Sequence, residues 1–525
     1  MRPPVSFLIA ILCAATPSVA RAQGGDLAPH TTDYLSGYWK ARPVTAATPA
    51  GIHSQDKLLE DWSATGVQAE IARDHAFLNR LEKIDPRALP GGDRADRDRL
   101  MSHIRLELAR LEVFQQDQTR PDLYVRLLGD AVWQLASRQF APATARFAAA
   151  GERLKLVPKF LKQARLTLSN PPEIQTRKAI ALAPAVADYL EKEFPNAAVQ
   201  QGVEKRELAR VQKESHAAAA AVREFGKWLE SDLLPRSKGS GLAPLPLYRQ
   251  IFRDFLGTEM ALEDVIAAAE RELRVMPIPP PPPQPLDSYQ VMQAFRQQEK
   301  EARLALESRK ITPVPTPDRL QFEMAPLFWS DRRMVLDPAG PFEPDLAHVL
   351  YLPPGVAFSR DSVKAALVRN AFPGAYTQRD AMNHTDSVIR KVFVNRAFVV
   401  GWEEYAAVLA KEAGFGAADP QHDREILLDA IFDVRINSGK ITPEEALKQL
   451  TGQFACTPAE AEYRVWRALS SPGELSAAYV GKLELLKLRA DRRKELGAAY
   501  VPIEYHARLL SLGAPDFSDA RELLK

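Results

Sequence analysis

The chain has 525 residues, of which 46% are apolar and 26% are charged, a composition typical of a large globular protein. Its formal charge is +2, and residues 1–22 contain two arginines and no acidic residue, so the remainder of the chain is neutral. Nucleic-acid binders need a clustered excess of lysine and arginine, and this composition therefore excludes nucleic acid as an expected partner.

The N-terminus has the pattern of an export signal. Arg2 precedes an apolar stretch from Val5 to Ala15, and Ala20-Arg21-Ala22 forms a small-x-small cleavage site before Gln23. We therefore expect a signal peptide over residues 1–22 that is cleaved after Ala22, which predicts a periplasmic or secreted protein.

Cys13 leaves a lipoprotein as an alternative, although Leu12 is bulkier than the small residue usual before a lipidated cysteine. Later stretches do not reach the roughly 18–20 apolar residues that a membrane span requires, so we expect no span after signal cleavage. Cleavage leaves Cys456 as the only cysteine, which excludes an internal disulfide.

Most of the mature chain has the pattern of amphipathic helices. Leu100, Ile104 and Leu108, for example, recur at helical spacing with charged residues between them. Residues 277–285 interrupt this pattern with seven prolines, which favour an extended backbone. We predict a stiff connector there between two interlocked halves of a single domain over residues 23–525. A polyproline ligand for a partner domain is the alternative.

The stretch from Met334 to Leu352 differs from the helical remainder. It consists of short runs of Val, Leu and Tyr between prolines, a pattern typical of strands. We predict a minor β-sheet there within a mainly α-helical domain.

The segment most informative about function runs from Arg369 to Gln378, with the sequence Arg-Asn-Ala-Phe-Pro-Gly-Ala-Tyr-Thr-Gln. Further along the chain, Val400 precedes Gly401-Trp402, and Tyr405 follows. The first segment resembles the His-Glu-x-x-Pro-Gly-His-His motif of the bacterial family called domain of unknown function 885, a zincin-like group. The second resembles that family's Glu-Gly-Trp-x-x-Tyr helix. Other segments follow in the family's order: Thr442–Ala446, Ser471–Gly473 and Tyr505–Gly513.

The resemblance implies a mainly α-helical, zincin-like fold, similar to that of thermostable carboxypeptidases, with a minor β-sheet near its cleft. Zinc is the cofactor expected for the family, but its ligands are replaced here. Arg369 stands where the first zinc-binding His belongs, and Asn370 where the catalytic Glu belongs. Ala375 and Tyr376 replace the following His pair, and Val400 replaces the last ligand. Arginine offers no lone pair to a metal, and alanine and valine have no donor atom, so we expect no cofactor and no catalytic residue.

Other catalytic patterns are also missing from the sequence. No His is followed by Glu, and there is no Gly-x-Ser-x-Gly elbow or Walker loop. His422 has ligand-like spacing to Glu425, but a helix is predicted to begin at Asp419-Pro420. Asp423 and Glu425 are therefore expected to interact with its dipole. Glu403-Glu404 are neighbours on a helix, where adjacent side chains do not face each other, and we expect them on a solvated face.

These observations predict an exported pseudo-peptidase that binds a ligand or partner, or has a structural role. An active zinc-dependent hydrolase with an unrecognised set of ligands is the alternative. Eight residues are candidates for the former active-site cleft: Arg369, Asn370, Tyr376, Trp402, Tyr405, Asp433, Glu474 and His506.

A buried guanidinium without a partner would be costly, so Arg369 is expected to form an ion pair or to stay open to solvent. Asp433 and Glu474 are the expected partners, because both lie in segments that border the cleft of the resembled fold. The alternative is that Arg369, with Asn370, Tyr376 and His506, binds a peptide end or another carboxylate ligand. For His506 itself, a buried histidine with satisfied hydrogen bonds is the competing interpretation.

We predict that the exported protein begins at Gln23, because small residues at Ala20 and Ala22 follow the apolar stretch. N-terminal mass spectrometry of the exported protein should find residue 23 first. An intact Met1 in the mature pool, or a lipid on Cys13, would contradict this prediction.

Overall fold

The computed structural model describes residues 27–277, 286–329, 334–353, 356 and 358–525. The expected signal peptide over residues 1–22 and the Pro-rich connector beyond Pro277 lie outside the described residues. Both therefore stay predictions, as does the division of residues 23–525 into two interlocked halves.

Helices form most of the described chain, which confirms the mainly α-helical fold class. Before the Pro-rich stretch they are α1 Leu27–Ala41, α2 Thr48–Ala50, α3 Ala64–Glu82, α4 Gly91–Leu108, α5 Gln116–Thr119, α6 Pro121–Ser137, α7 Ala143–Thr167, α8 Glu173–Asp188, α9 Phe194–Gln200, α10 Lys205–Trp228, α11 Leu245–Leu256 and α12 Leu262–Val275. After it they are α13 Ser288–Arg309, α14 Arg360–Asn370, α15 Ala375–Asn383, α16 Val388–Val392, α17 Arg396–Glu412, α18 Pro420–Asn437, α19 Pro443–Gly452, α20 Pro458–Ser470, α21 Ala477–Leu496, α22 Pro502–Ser511 and α23 Phe517–Leu523. None of these described helices combines the length and apolarity needed to cross a bilayer.

A small sheet has the strand order β1-β3-β2, with β1 Leu320–Met324, β2 Val335–Asp337 and β3 His348–Leu352. β1 pairs with β3 in parallel, and β2 pairs with β3 antiparallel. The prediction of a minor sheet between Met334 and Leu352 is confirmed for β2 and β3. β1 precedes that stretch and was not predicted, because it is a largely exposed strand with no continuous apolar run.

Helices from both sides of the Pro-rich stretch share one hydrophobic core. Phe252 of α11 and Val265 of α12 belong to the same buried cluster as Trp402 of α17, Ile431 of α18 and Val480 of α21. Burial of this apolar surface is the main force that holds the C-terminal helices together.

α17 and α21 cross with their backbones in direct contact. A Cβ atom built on Gly401 would lie 2.4 Å from the Cα atom of Gly481. A Cβ atom on Gly481 would lie 1.9 Å from the carbonyl oxygen of Ala397. Only glycine at both positions permits this approach, and the crossing fixes the position of α17 in the core.

Gly401→Ala should lower the free energy of unfolding by about 3 kcal/mol, because the added methyl group must separate two helix backbones. Urea unfolding followed by circular dichroism measures this change. Gly452→Ala is the matched control, since Gly452 ends α19 with no atom within 4 Å of a built Cβ. Equal stability of the two variants would contradict the close crossing.

Candidate functional site

A cavity of about 730 Å³ lies among α14, α17, α18 and α20, beside the sheet. We call it the cleft. Arg369 and Asn370 of α14 line it, as does Val400 of α17, so three of the five altered motif positions face one space. Val335 of β2 also lines the cleft, which means that the minor sheet borders it.

Arg369, in the last turn of α14, is buried, and each of its guanidinium nitrogens contacts a different carboxylate. Nε lies 3.2 Å from Oε2 of Glu404, Nη1 lies 3.3 Å from Oδ2 of Asp419, and Nη2 lies 3.0 Å from Oδ1 of Asp423. Burial alone would lower the pKa of Arg369, but the three carboxylates outweigh it and raise that pKa. Each of the three guanidinium nitrogens therefore has a carboxylate partner.

Glu404 of α17 links Arg369 to His422 of α18. Nε2 of His422 lies 2.7 Å from Oε1 of Glu404. Burial would raise the pKa of Glu404, but His422 and Arg369 outweigh it and bring that pKa to about 2. Glu404 is therefore ionised and accepts a hydrogen bond from His422. We call Arg369, Glu404, Asp419, His422 and Asp423 the Arg369 cluster.

Asp419 has two roles in this cluster. Its Oδ1 atom accepts a hydrogen bond from the backbone N–H of His422 at 3.2 Å and so caps the start of α18, as the sequence predicts. Its Oδ2 atom contacts Arg369. Asp419 therefore connects the start of α18 to the end of α14.

The expectation that Asp433 pairs with Arg369 is wrong. Asp433 is fully buried on α18 and accepts hydrogen bonds from the backbone N–H of Gly473 at 3.1 Å and of Ser476 at 3.0 Å. It also accepts from Oγ of Ser476 at 2.7 Å. Burial raises its pKa to about 7. Asp433 holds the start of α21 and does not line the cleft.

Glu474 lines the cleft but also does not pair with Arg369. It accepts a hydrogen bond from Nε of Arg396 at 2.9 Å, and Nη2 of Arg467 lies 3.3 Å from it. Burial would raise the pKa of Glu474, but the two arginines outweigh it and lower that pKa. A second ion-pair group therefore forms part of the cleft wall.

Tyr376 and Trp402 are buried behind the cleft rather than in it. The hydroxyl of Tyr376 donates to Oδ1 of Asp318 at 3.0 Å. Nε1 of Trp402 donates to the carbonyl oxygen of Pro373 at 2.8 Å and ties the turn after α14 to α17. Asn370, which does line the cleft, donates its amide to the carbonyl oxygen of Ala366 at 2.8 Å.

Tyr405 and His506 form a separate buried pair. Nδ1 of His506 lies 2.7 Å from the carbonyl oxygen of Ile311 and donates to it, so Nε2 accepts from the Tyr405 hydroxyl at 2.8 Å. Burial lowers the pKa of His506 to about 4. Of the two interpretations of His506, the buried histidine with satisfied hydrogen bonds is the one observed. The structure does not bring Tyr376 and His506 together with Arg369.

The residues at the altered motif positions do not fit a zinc site. The nitrogens of Arg369 contact carboxylates, the Asn370 amide is bound to the backbone, and burial raises the pKa of Tyr376, which disfavours a phenolate ligand. Ala375 and Val400 have no donor atom. In the part of the chain that the structure describes, no group of three His, Cys, Asp or Glu side chains is arranged to hold a metal.

Sequence reasoning missed Glu403 and Glu404, and their expected solvated face is wrong. Glu404 is buried and Glu403 lines the cleft. Residues three and four apart share a helix face, so both lie on the face of Val400, and this spacing was the available signal. Among the described residues, no hydrogen-bond or ion-pair partner contacts Glu403. Burial raises its pKa to about 7, against the opposing effect of Arg396.

Several residues of the cleft wall also line two other cavities. Trp466, Arg467 and Arg126 also line a second cavity of about 440 Å³, which extends toward α4 and α6. Arg396 and Glu474 line a third of about 220 Å³. The three cavities are therefore neighbours that share wall residues. A larger groove of about 1180 Å³ lies elsewhere and contains none of the eight candidate residues.

A family model described as "Bacterial protein of unknown function (DUF885)" matches residues 44–276 and 348–523. Two solved structures are similar in fold. The first, a "putative lipoprotein of unknown function" from Shewanella oneidensis, has a TM-score of 0.72 at 19% identity and covers 95% of this chain and 99% of its own. The second, a "putative lipoprotein" from Colwellia psychrerythraea, has a TM-score of 0.78 at 14% identity and covers 94% of this chain and 98% of its own. No curated protein gives a significant match.

Arg369→Ala should lower the free energy of unfolding by about 2–3 kcal/mol, because it leaves the buried Glu404 with only His422 as a partner. Asp423 is 47% exposed and contributes little to this value. Urea unfolding measures the change, with Arg360→Ala at the exposed start of the same helix as the control.

The wild type and Arg369→Ala also allow a pH test of the Arg369 cluster. The pKa of Glu404 is depressed in the folded state from 4.5 to about 2, so its contribution to stability is present above pH 4.5 and is lost as the pH falls toward 2. The stability difference between wild type and Arg369→Ala should shrink over that range. A difference that does not change with pH would contradict the role of Glu404.

Proposed function

Because the chain belongs to the DUF885 family of bacterial proteins, we propose that it is an exported, zincin-like pseudo-peptidase that binds a ligand in its cleft without hydrolysing it. The observation that carries the proposal is the Arg369 cluster. At the position of the first zinc-binding His in the resembled motif, a permanently charged guanidinium is held by three carboxylates.

The loss of hydrolysis is supported by the chemistry of the motif positions. A zinc peptidase needs open coordination at the metal and a base that takes the proton of the attacking water. The Asn370 amide cannot take that proton, and its nitrogen already donates to Ala366. A zinc ion would also have to displace the positive charge of Arg369. No observation favours the alternative of an active zinc hydrolase with other ligands.

Ligand binding is supported by the space that remains. With Arg369 paired to three carboxylates, the cleft still has about 730 Å³, within the range of roughly 300–1,000 Å³ found for small-molecule pockets. Tyr463 and Trp466 supply aromatic surface, and Glu474 with its ion pairs forms another part of the wall. An ordered pocket of this size loses little conformational entropy when it binds a ligand.

Export is supported by the signal-peptide pattern at residues 1–22 and by the descriptions of the two similar structures as lipoproteins. Lipidation at Cys13 is the alternative to cleavage after Ala22. Either form agrees with an exported protein.

We expect the purified mature protein to contain far less than one zinc per chain after mild dialysis, and to give no turnover in a general peptidase and esterase screen. Elemental analysis measures the metal, and a related zinc peptidase dialysed in parallel is the control. One zinc per chain, located beside Arg369 or Val400, would overturn the proposal. Peptide hydrolysis that a chelator abolishes would do so as well.

A further inference from the structure

The charged groups of the cleft differ in how fully they are paired. Glu404 and Asp419 contact Arg369, and Glu474 contacts Arg396 and Arg467. Glu403, which precedes Glu404 on α17, lines the same cavity. None of the described residues forms a hydrogen bond or an ion pair with it. Within the described part of the chain, it is therefore an unpaired carboxylate that lines a ligand-sized space.

Four neighbouring groups shift the pKa of Glu403 without forming a hydrogen bond or an ion pair with it. Arg396 and Glu404 lie on its own helix, Arg379 lies on α15, and His422 lies on α18. Arg396, Arg379 and His422 lower the pKa of Glu403, and Glu404 raises it. Burial is the largest influence and raises the pKa of Glu403 to about 7. Near neutral pH the carboxylate is therefore partly ionised, and no side chain that the structure describes donates a hydrogen bond to it.

A partly buried carboxylate gains most from a compact cation with several donors. A primary ammonium group has three N–H donors and forms charge-assisted hydrogen bonds with carboxylates. A neutral donor would leave the negative charge of Glu403 without a compensating positive charge, and an anionic group would be repelled by it. The chemistry of this position thus selects a protonated amine.

The shape of the surrounding space indicates how such a ligand extends. The cleft itself has about 730 Å³, and its lining residues Trp466 and Arg467 also line the neighbouring cavity of about 440 Å³. A ligand held at Glu403 by one end therefore has room for a chain behind it. This arrangement fits a short peptide better than a single small amine.

On this basis, and resting on the proposed function above, we infer that Glu403 binds a protonated primary amine of a peptide, with the peptide chain running along the cleft past Trp466. The amine belongs to the peptide N-terminus or to a lysine side chain.

Isothermal titration calorimetry with defined probes tests the inference. The probes are Ala-Ala-Ala-amide, its N-acetylated form, and Nα-acetyl-lysine methylamide. The wild-type protein should bind the free-amine tripeptide at least about tenfold more tightly than the acetylated form, since one charge-assisted hydrogen bond is at stake. Glu403→Gln should abolish that preference. The matched control Glu444→Gln, an exposed residue of α19, removes the same charge and should keep it.

The pH dependence separates the two amine sources. Binding of either amine probe should weaken from pH 7.5 to 5.5, because Glu403 becomes protonated, and Glu403→Gln should remove this dependence. The tripeptide should also lose affinity above pH ~8, where an α-amine deprotonates, whereas the lysine probe should retain affinity to about pH 10. Tight binding of either probe with this profile supports the inference.

Two outcomes would overturn it, and they differ in what they leave standing. If the wild type binds the free and acetylated peptides equally and Glu403→Gln changes nothing, the role of Glu403 is wrong while ligand binding in the cleft stands. If no probe binds the wild type, peptide binding in the cleft fails together with the inference. The wild-type comparison and its pH profile decide the question even if Glu403→Gln does not fold.

Discussion

The buried guanidinium of Arg369 is the interaction on which the cleft depends. It connects the end of α14 to Glu404 in the middle of α17 and to Asp419 and Asp423 at the start of α18. Separating α14 from α17 would leave the charges of Arg369 and Glu404 in a poorly solvated place, which costs several kcal/mol per ion. The helices that form the cleft are therefore held together by charge at Arg369.

One face of α17 packs in the core, and the opposite face lines the cleft. The helical period of about 3.6 residues places alternate groups of residues on the two faces. Gly401 contacts the backbone of α21, and Trp402 and Tyr405 pack in the core behind the cleft. Val400, Glu403 and Glu404 face the cleft. Because Gly401 sets the depth of α17 against α21, the packing face determines where the carboxylates of the other face lie. Core packing and cleft geometry are thus properties of a single helix.

Much of the framework was predictable from the sequence, since it depends on local signals. Helical periodicity, the Asp419-Pro420 helix start and the strands near Met334 to Leu352 are features of short segments. Arg369 was expected at the cleft because its own segment resembles the family motif. These predictions needed no knowledge of how distant helices are oriented.

The partners of Arg369 were not predictable in the same way, because they depend on helix rotation. Asp433 lies on α18 like Asp423, but ten residues further along it points to the start of α21 and not to α14. The sequence order of segments could not distinguish the two. For Glu404 a signal did exist, since it is one turn from Val400, but adjacent acidic residues on a helix are most often solvated.

Pairing within the cleft also determines what is left for recognition. The Arg369 cluster has three carboxylates for one guanidinium, and this excess is tolerated because the side chains of Asp419 and Asp423 are 23% and 47% exposed. Glu404, at 5% exposure, is the member that needs both Arg369 and His422. The paired groups therefore stabilise the cleft walls and cannot change partners without loss. A ligand that leaves these pairs intact must bind to other groups of the cleft, and the role proposed for Glu403 follows from this constraint.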